Sequence, residues 1–174
     1  MTRSLLVLGG ARSGKSAYAE ARAQACLGDK LYIATAEATD AEMAERIRHH
    51  QERRGAGWRT LEAPLDLADT LRQHDASDRV VLIDCVTVWI NNLMFHDRAI
   101  EPAVAELCAA LADVRGQVVI VSNEVGFGIV PENALARRFR DLAGRTNQAI
   151  AAVADEVVLV VAGLPLTVKQ SAPG

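Results

Sequence analysis

Five short runs along the chain are apolar almost without interruption: Ser4–Leu8 (SLLVL), Lys30–Thr35 (KLYIAT), Arg79–Asp84 (RVVLID), Gln117–Ser122 (QVVIVS) and Glu156–Ala162 (EVVLVVA). Their length and β-branched content suit strands. Their lack of polar alternation suits strands covered on both faces, as in a parallel sheet. Helical stretches lie between them. Ala17–Leu27 is alanine-rich, Asp40–Arg54 begins with a residue able to cap it, Leu65–His74 follows Pro64, and Ala99–Val114 and Glu132–Ala154 are the longest. Trp58–Glu62 (WRTLE) reads as a further short strand. Val86–Phe95 (VTVWINNLMF) is ambiguous, β-branched at its start but helical in its apolar spacing. Strand alternating with helix predicts a single α/β domain over residues 1–174, a mostly parallel sheet with helices on both faces, with a flexible tail at 169–174.

Charge and composition narrow the function. Nineteen Lys and Arg against 22 Asp and Glu leave a net charge of -3. With no basic excess to neutralise phosphates, nucleic acid is not an expected partner. No apolar run approaches the roughly 20 residues of a membrane span. The N-terminal apolar run leads straight into a glycine loop rather than a cleavage site, so it reads as a strand of a cytoplasmic protein. Cys26, Cys85 and Cys108 show no paired spacing and read as reduced thiols, not metal ligands.

The chemistry begins at Gly9, Gly10, Ala11, Arg12, Ser13, Gly14, Lys15 and Ser16, which fit G-x-x-x-x-G-K-[ST] between a predicted strand and a predicted helix. Glycines let the backbone curl so that successive N–H groups point at phosphate oxygens, and the helix N-terminus adds partial positive charge. Lys15 is placed to reach the β- and γ-phosphates, and Ser16 offers a hydroxyl to Mg²⁺. Asp84, a carboxylate at the end of an apolar strand, is the second candidate Mg²⁺ residue. These features predict a nucleoside triphosphate enzyme, a class that includes many kinases and ATPases. A GTPase is not supported: there is no Asn-Lys-x-Asp motif and no Asp-x-x-Gly after Asp84.

Other motifs are more particular. GGARSGKS (Gly9–Ser16), YIATAE (Tyr32–Glu37), RIRHHQERR (Arg46–Arg54) with WRTLE soon after, and SNEVGFGIVPEN (Ser122–Asn133) followed by LARRFRDLAGRTNQAIAAVADEVVLVVAGLP occur in this order. Together they closely resemble the bifunctional adenosylcobinamide kinase / adenosylcobinamide-phosphate guanylyltransferase family of cobalamin biosynthesis, from about residue 4 to about residue 165. The resemblance implies one phosphate-loop α/β domain assembled as a homotrimer, and two reactions on a corrinoid substrate. The hydroxyl of the aminopropanol arm of adenosylcobinamide is phosphorylated with ATP or GTP. GMP is then transferred from GTP onto that phosphate through a GMP–histidine intermediate, releasing pyrophosphate.

Two adjacent histidines, His49 and His50, compete for that role. On a helix His50 continues the stripe Met43, Ile47, His50 and would pack inward, whereas His49 shares its face with Glu45, Arg46, Glu52 and Arg53. Guanidiniums within a turn could hold phosphate oxygens in forked bonds. Taken alone, the run looks like a solvated helix face with ordinary ion pairs. The resemblance selects the first histidine, His49, as the nucleophile, with Lys15 as the other catalytic residue. It also implies nucleotide contacts from Ala34, Thr35 and Ala36, from His50, Gln51, Glu52 and Arg53, and from Asp84. Glu62 is the candidate acceptor for guanine N1–H and N2–H. Asn123, Glu124 and Gly126 follow a strand end and are placed to position the corrinoid hydroxyl or the attacking water shell, with Glu124 either a base for the kinase step or a brace for its loop. Two alternatives stay open at this point: a small-molecule kinase of the same fold with no covalent intermediate, and a nucleotide-sensing module with little turnover.

Overall fold

The computed structural model describes residues 3–37 and 57–170. Its elements run β1 (Ser4–Gly9), α1 (Lys15–Ala25), β2 (Asp29–Ala34), β3 (Trp58–Glu62), α2 (Leu67–His74), β4 (Arg79–Asp84), α3 (Val86–Phe95), α4 (Ile100–Ala112), β5 (Gln117–Asn123), α5 (Ala134–Val153), β6 (Glu156–Val161) and β7 (Leu164–Lys169). The expected helix over Asp40–Arg54 lies outside the described residues. The seven strands form one sheet in the order β3-β2-β4-β5-β1-β6-β7. All pairings are parallel except β6 with β7.

The apolar runs form buried strands because both faces are covered. Leu6, Leu31, Ile33, Val81, Ile83, Val118, Ile120 and Val157 face one core with Leu67, Trp89, Leu107 and Ile150 of α2–α5. The alternate residues Leu5, Val7, Tyr32, Val80, Leu82, Val119, Val121 and Val158 face the other with Ala19 and Ala23 of α1. The two-residue period of a strand thus sorts one apolar run into two cores. The ambiguous Val86–Phe95 segment is helix, and its apolar spacing decided against its β-branched start. Trp89, Ile90 and Leu93 are fully buried, and the Trp89 indole donates to the Leu65 carbonyl at 2.7 Å.

β7 is absent from the expected strands. Pro165 interrupts its run and its side chains are largely exposed, so burial does not mark it. Proline is tolerated because β7 is an edge strand, and the alternation of Leu164, Leu166 and Val168 was the available signal. Lys169, the first residue of the expected flexible tail, closes this strand. Its ammonium donates to the carbonyls of Ala151, Ala152 and Ala154 at 2.9, 3.0 and 2.6 Å. A cation there satisfies the orphan carbonyls at the end of α5.

Candidate active site

β1 delivers Gly9 to the carboxyl edge of the sheet, and the chain curls through Gly10–Gly14 before α1 begins at Lys15. Gly9 has no room for a side chain: a Cβ would stand 2.4 Å from Ser13 Oγ and 2.7 Å from the Val160 carbonyl oxygen. Gly14 caps α1 at φ 94°, a left-handed conformation that glycine adopts without cost. Ser13 N–H donates to Gly10 O at 3.3 Å and Tyr18 N–H to Gly14 O at 3.0 Å. The Lys15 ammonium folds back over the loop onto Gly10 O at 3.2 Å. Ser13 Oγ is buried inside the loop with no hydrogen-bond partner among the described residues. A buried hydroxyl with no partner in a glycine loop fits a phosphate oxygen.

The loop is braced from behind by a feature that sequence reasoning missed. Between β6 and β7 the chain turns at Ala162 and Gly163, both at positive φ, and Gly163 N–H donates to Ser13 O at 2.8 Å. A Cβ on Gly14 would lie 3.2 Å from Gly163 Cα, so the turn is seated directly against the loop. The glycine following a strand and preceding Pro165 was its only signal.

Asp84 ends β4 and is separated from β1 by β5 alone, a lateral offset of about 10 Å at the usual strand spacing. The next residue, Cys85, is buried, and its thiol responds to both charged neighbours. Burial pushes it up to about 11, the Asp84 carboxylate adds to the rise, and the Lys15 ammonium opposes it. Lys15 and Asp84 therefore share one electrostatic neighbourhood. Ser16, the second residue of α1, adds a hydroxyl. A hydroxyl and a carboxylate are hard oxygen donors of the kind that bind Mg²⁺, with phosphate and water completing its shell. No group of three His, Cys, Asp or Glu that could hold a metal ion occurs among the described residues.

Ala34 is in register with Asp84 on one side and Glu62 on the other. Thr35, just beyond, is buried, and its hydroxyl donates to Cys85 O at 2.8 Å and accepts from Cys85 N–H at 2.9 Å. That side chain holds the ends of β2 and β4 together and has no hydrogen left to donate. Asn92 of α3 ties the same corner to the chain after β3, donating to Thr35 O and Pro64 O at 2.7 and 3.1 Å. Ala36 follows, half-buried. Glu62 is exposed at the end of β3. It stands four strands from β1, about 20 Å across the sheet at the usual spacing. The phosphate loop and Glu62 are therefore two separate stations on one edge.

On the other side of Asp84, the end of β5 is held by a buried polar network. Thr87 and Ser122 hydroxyls lie 3.2 Å apart, Ser122 donates to Asn147 Oδ1 at 2.7 Å, and Asn147 donates to Asn123 O at 3.1 Å. Asn123 N–H donates to Thr87 Oγ1 at 2.6 Å. Glu124 N–H donates to Gly9 O at 3.0 Å, joining the chain after β5 to the phosphate loop. The Glu124 carboxylate accepts from Gly126 N–H at 2.7 Å and so braces its own loop. His49, His50, Gln51, Glu52 and Arg53 lie outside the described residues. The three cysteines are free thiols. His96 lies 3.4 Å from Glu37, and the His74 carbonyl accepts from Arg79.

A sequence model of the cobinamide kinase / cobinamide phosphate guanyltransferase family matches residues 5–168. The chain is 48% identical to the bifunctional adenosylcobalamin biosynthesis protein CobU of Salmonella typhimurium, over 95% of this chain and 99% of that protein. It is 46% identical to the bifunctional adenosylcobalamin biosynthesis protein CobP of Pseudomonas aeruginosa, over 94% and 96%. Among solved structures, the flagellar accessory protein FlaH of Methanocaldococcus jannaschii aligns with a TM-score of 0.55 at 13% identity, over 97% of this chain and 79% of that one. The P4 protein of bacteriophage phi6 in complex with ADP aligns at 0.51 and 16% identity, over 99% and 56%. At such identities these two likenesses speak for the fold alone.

Proposed function

From the premise that the chain belongs to the cobinamide kinase / cobinamide phosphate guanyltransferase family, we propose that it carries out both reactions on adenosylcobinamide. The observation that carries this reading is the family match along residues 5–168 with the Gly9–Ser16 loop intact between β1 and α1. In the first reaction the hydroxyl of the aminopropanol arm attacks the γ-phosphorus of ATP or GTP, the bond to the β-phosphate oxygen breaks, and the nucleoside diphosphate leaves. The loop N–H groups hold the phosphates, and Lys15 exchanges its bond to Gly10 O for the phosphate oxygens, where it steadies charge in the transition state. Ser16 and Asp84 would hold Mg²⁺, which neutralises phosphate charge when bound. The bonds from Gly163 and Glu124 fix the loop from two sides.

In the second reaction a ring nitrogen of His49 attacks the α-phosphorus of GTP and expels pyrophosphate. A phosphate oxygen of the phosphorylated corrinoid then attacks the same phosphorus, and histidine leaves. Splitting the transfer in two is ordinary covalent catalysis, and an unperturbed imidazole is mostly neutral at physiological pH. Glu62 reads the guanine edge, with His50, Gln51, Glu52, Arg53, Ala34, Thr35 and Ala36 lining the nucleotide. The distance between Glu62 and the phosphate loop supports separate stations for base reading and phosphoryl transfer. The reading includes a homotrimer in the cytoplasm. The exposed apolar row Leu164, Leu166 and Val168 on the edge strand gives an assembly surface to bury, and no helix among the described residues is long and apolar enough to cross a membrane. Sedimentation velocity checks the trimer.

The test of the mechanism is covalent labelling. Protein incubated with Mg²⁺ and GTP labelled at the α-phosphate, then denatured, should retain acid-labile, alkali-stable label, and His49→Asn should lose it while His50→Asn keeps it. Loss only in His50→Asn would move the nucleophile by one residue. Absence of label in the wild type, with GTP bound, would leave a kinase without a covalent intermediate.

A further inference from the structure

The segment between β5 and α5 exposes large apolar side chains beside a polar site. Phe127 is 82% exposed, Ile129 97% and Val130 60%, and Leu135 in the first turn of α5 is exposed as well. This is not a loose excursion of the chain. At its start Glu124 N–H is bonded to Gly9 O and Gly126 N–H to the Glu124 carboxylate. Val125 packs against the core. At its end Asn133 caps α5, accepting from Leu135 N–H and Ala136 N–H at 2.8 and 3.2 Å, and Arg137 donates to the carbonyls of Pro131 and Glu132. A segment anchored at both ends that still turns its largest apolar groups to solvent forgoes burial that favours folding, which points to an apolar partner.

Position names the partner. Asn123 is the register partner of Gly9, so the segment leaves the sheet beside the phosphate loop. Phe127 is three residues beyond Glu124, no more than about 11 Å of chain. A kinase must hold the acceptor hydroxyl at the γ-phosphate, and here that hydroxyl sits at the end of an arm on a macrocycle. With the arm pointing into the loop, the macrocycle is left just outside the sheet edge, where this segment stands. We propose that Phe127, Ile129 and Val130 form the platform on which an apolar face of the corrin ring rests, and that they set the affinity for the corrinoid without touching the nucleotide. This rests on the reading of the substrate given above.

The probe is adenosylcobinamide itself, with Phe127→Ser, Ile129→Ser and the double variant. These side chains are exposed, so the fold should survive their loss. The expected result is a rise in corrinoid KM of about tenfold for each single variant and about a hundredfold for the pair, tenfold being about 1.4 kcal/mol. The KM for the triphosphate and covalent labelling from GTP should not change, and Phe127→Leu should retain most of the affinity. Equilibrium dialysis against adenosylcobinamide reads the platform independently of turnover. Wild-type binding lost in the double variant, with no phosphorylated product from either, would sink the kinase reading and keep the platform. Normal phosphorylation with unchanged corrinoid KM and Kd in the variants would sink the platform and keep the reading. A change in sedimentation with corrinoid affinity intact would instead assign the patch to contact between copies of the chain.

Discussion

The phosphate loop and the Glu124–Asn133 segment occupy the same structural position. Each leaves the carboxyl end of a strand and enters a helix, and their strands, β1 and β5, are neighbours. They are built in opposite ways. The first is built from backbone: side chains are excluded at Gly9, and carbonyls are tied by Gly163, Glu124 and Lys15. The second spends its backbone bonds on anchoring and shows its side chains to solvent. An anion needs fixed dipoles, whereas an apolar ligand needs area.

That contrast can be broken deliberately. Removing the ammonium that folds over the first loop should have the largest effect: Lys15→Met should lower turnover of the kinase step by about 10²–10³-fold, read by steady-state product formation, with thermal stability unchanged. If turnover survives, the backbone of the loop alone suffices. Gly9→Ala should come next, destabilising the fold by about 2 kcal/mol because the added methyl meets a backbone oxygen of β6, measured by denaturant unfolding. Asn133→Ala, which removes the anchor of the second segment, should cost about 1 kcal/mol and raise the corrinoid KM more than the nucleotide KM.

The smallest effect concerns the base of the first region. Arg22 in the last turn of α1 donates to both carboxylate oxygens of Glu156 in β6, at 2.9 and 2.7 Å. That pairing outweighs burial and holds the Glu156 carboxyl below its usual range. A carboxylate lowered in the folded state adds stability above its ordinary value of 4.5, and the addition is lost as pH falls through the folded value. Glu156→Gln should therefore lower the melting temperature at pH 7 by the equivalent of about 1 kcal/mol, since the pair is partly exposed. The gap to wild type should close in acid well below pH 4.5, measured by scanning calorimetry.

Much of this architecture was legible in the chain. Runs such as Arg79–Asp84 need burial on both faces and could hardly be anything but interior strands, and the spacing of Gly9, Gly14 and Lys15 has one physical use. What stayed hidden was carried by long-range contact. Nothing local to Ala162 and Gly163 says that their turn backs a loop some 150 residues earlier. The order that inserts β5 between β1 and β4 is likewise a property of the whole sheet. The Thr35 hydroxyl is held by Cys85, a partner visible only once β2 and β4 are paired. The exposure of Phe127 and Ile129 is set by the fold and not by their motif.

The seat of Gly163 against Ser13 also bears on how the protein is made. The phosphate loop is synthesised before β5 and β6, yet β1 is flanked by those two strands and its loop is backed by the turn after β6. All elements from α1 to β6 must be synthesised before β1 has both neighbours. A nascent chain therefore carries the nucleotide motif long before it can hold a nucleotide, and a truncation within β6 would leave it incomplete.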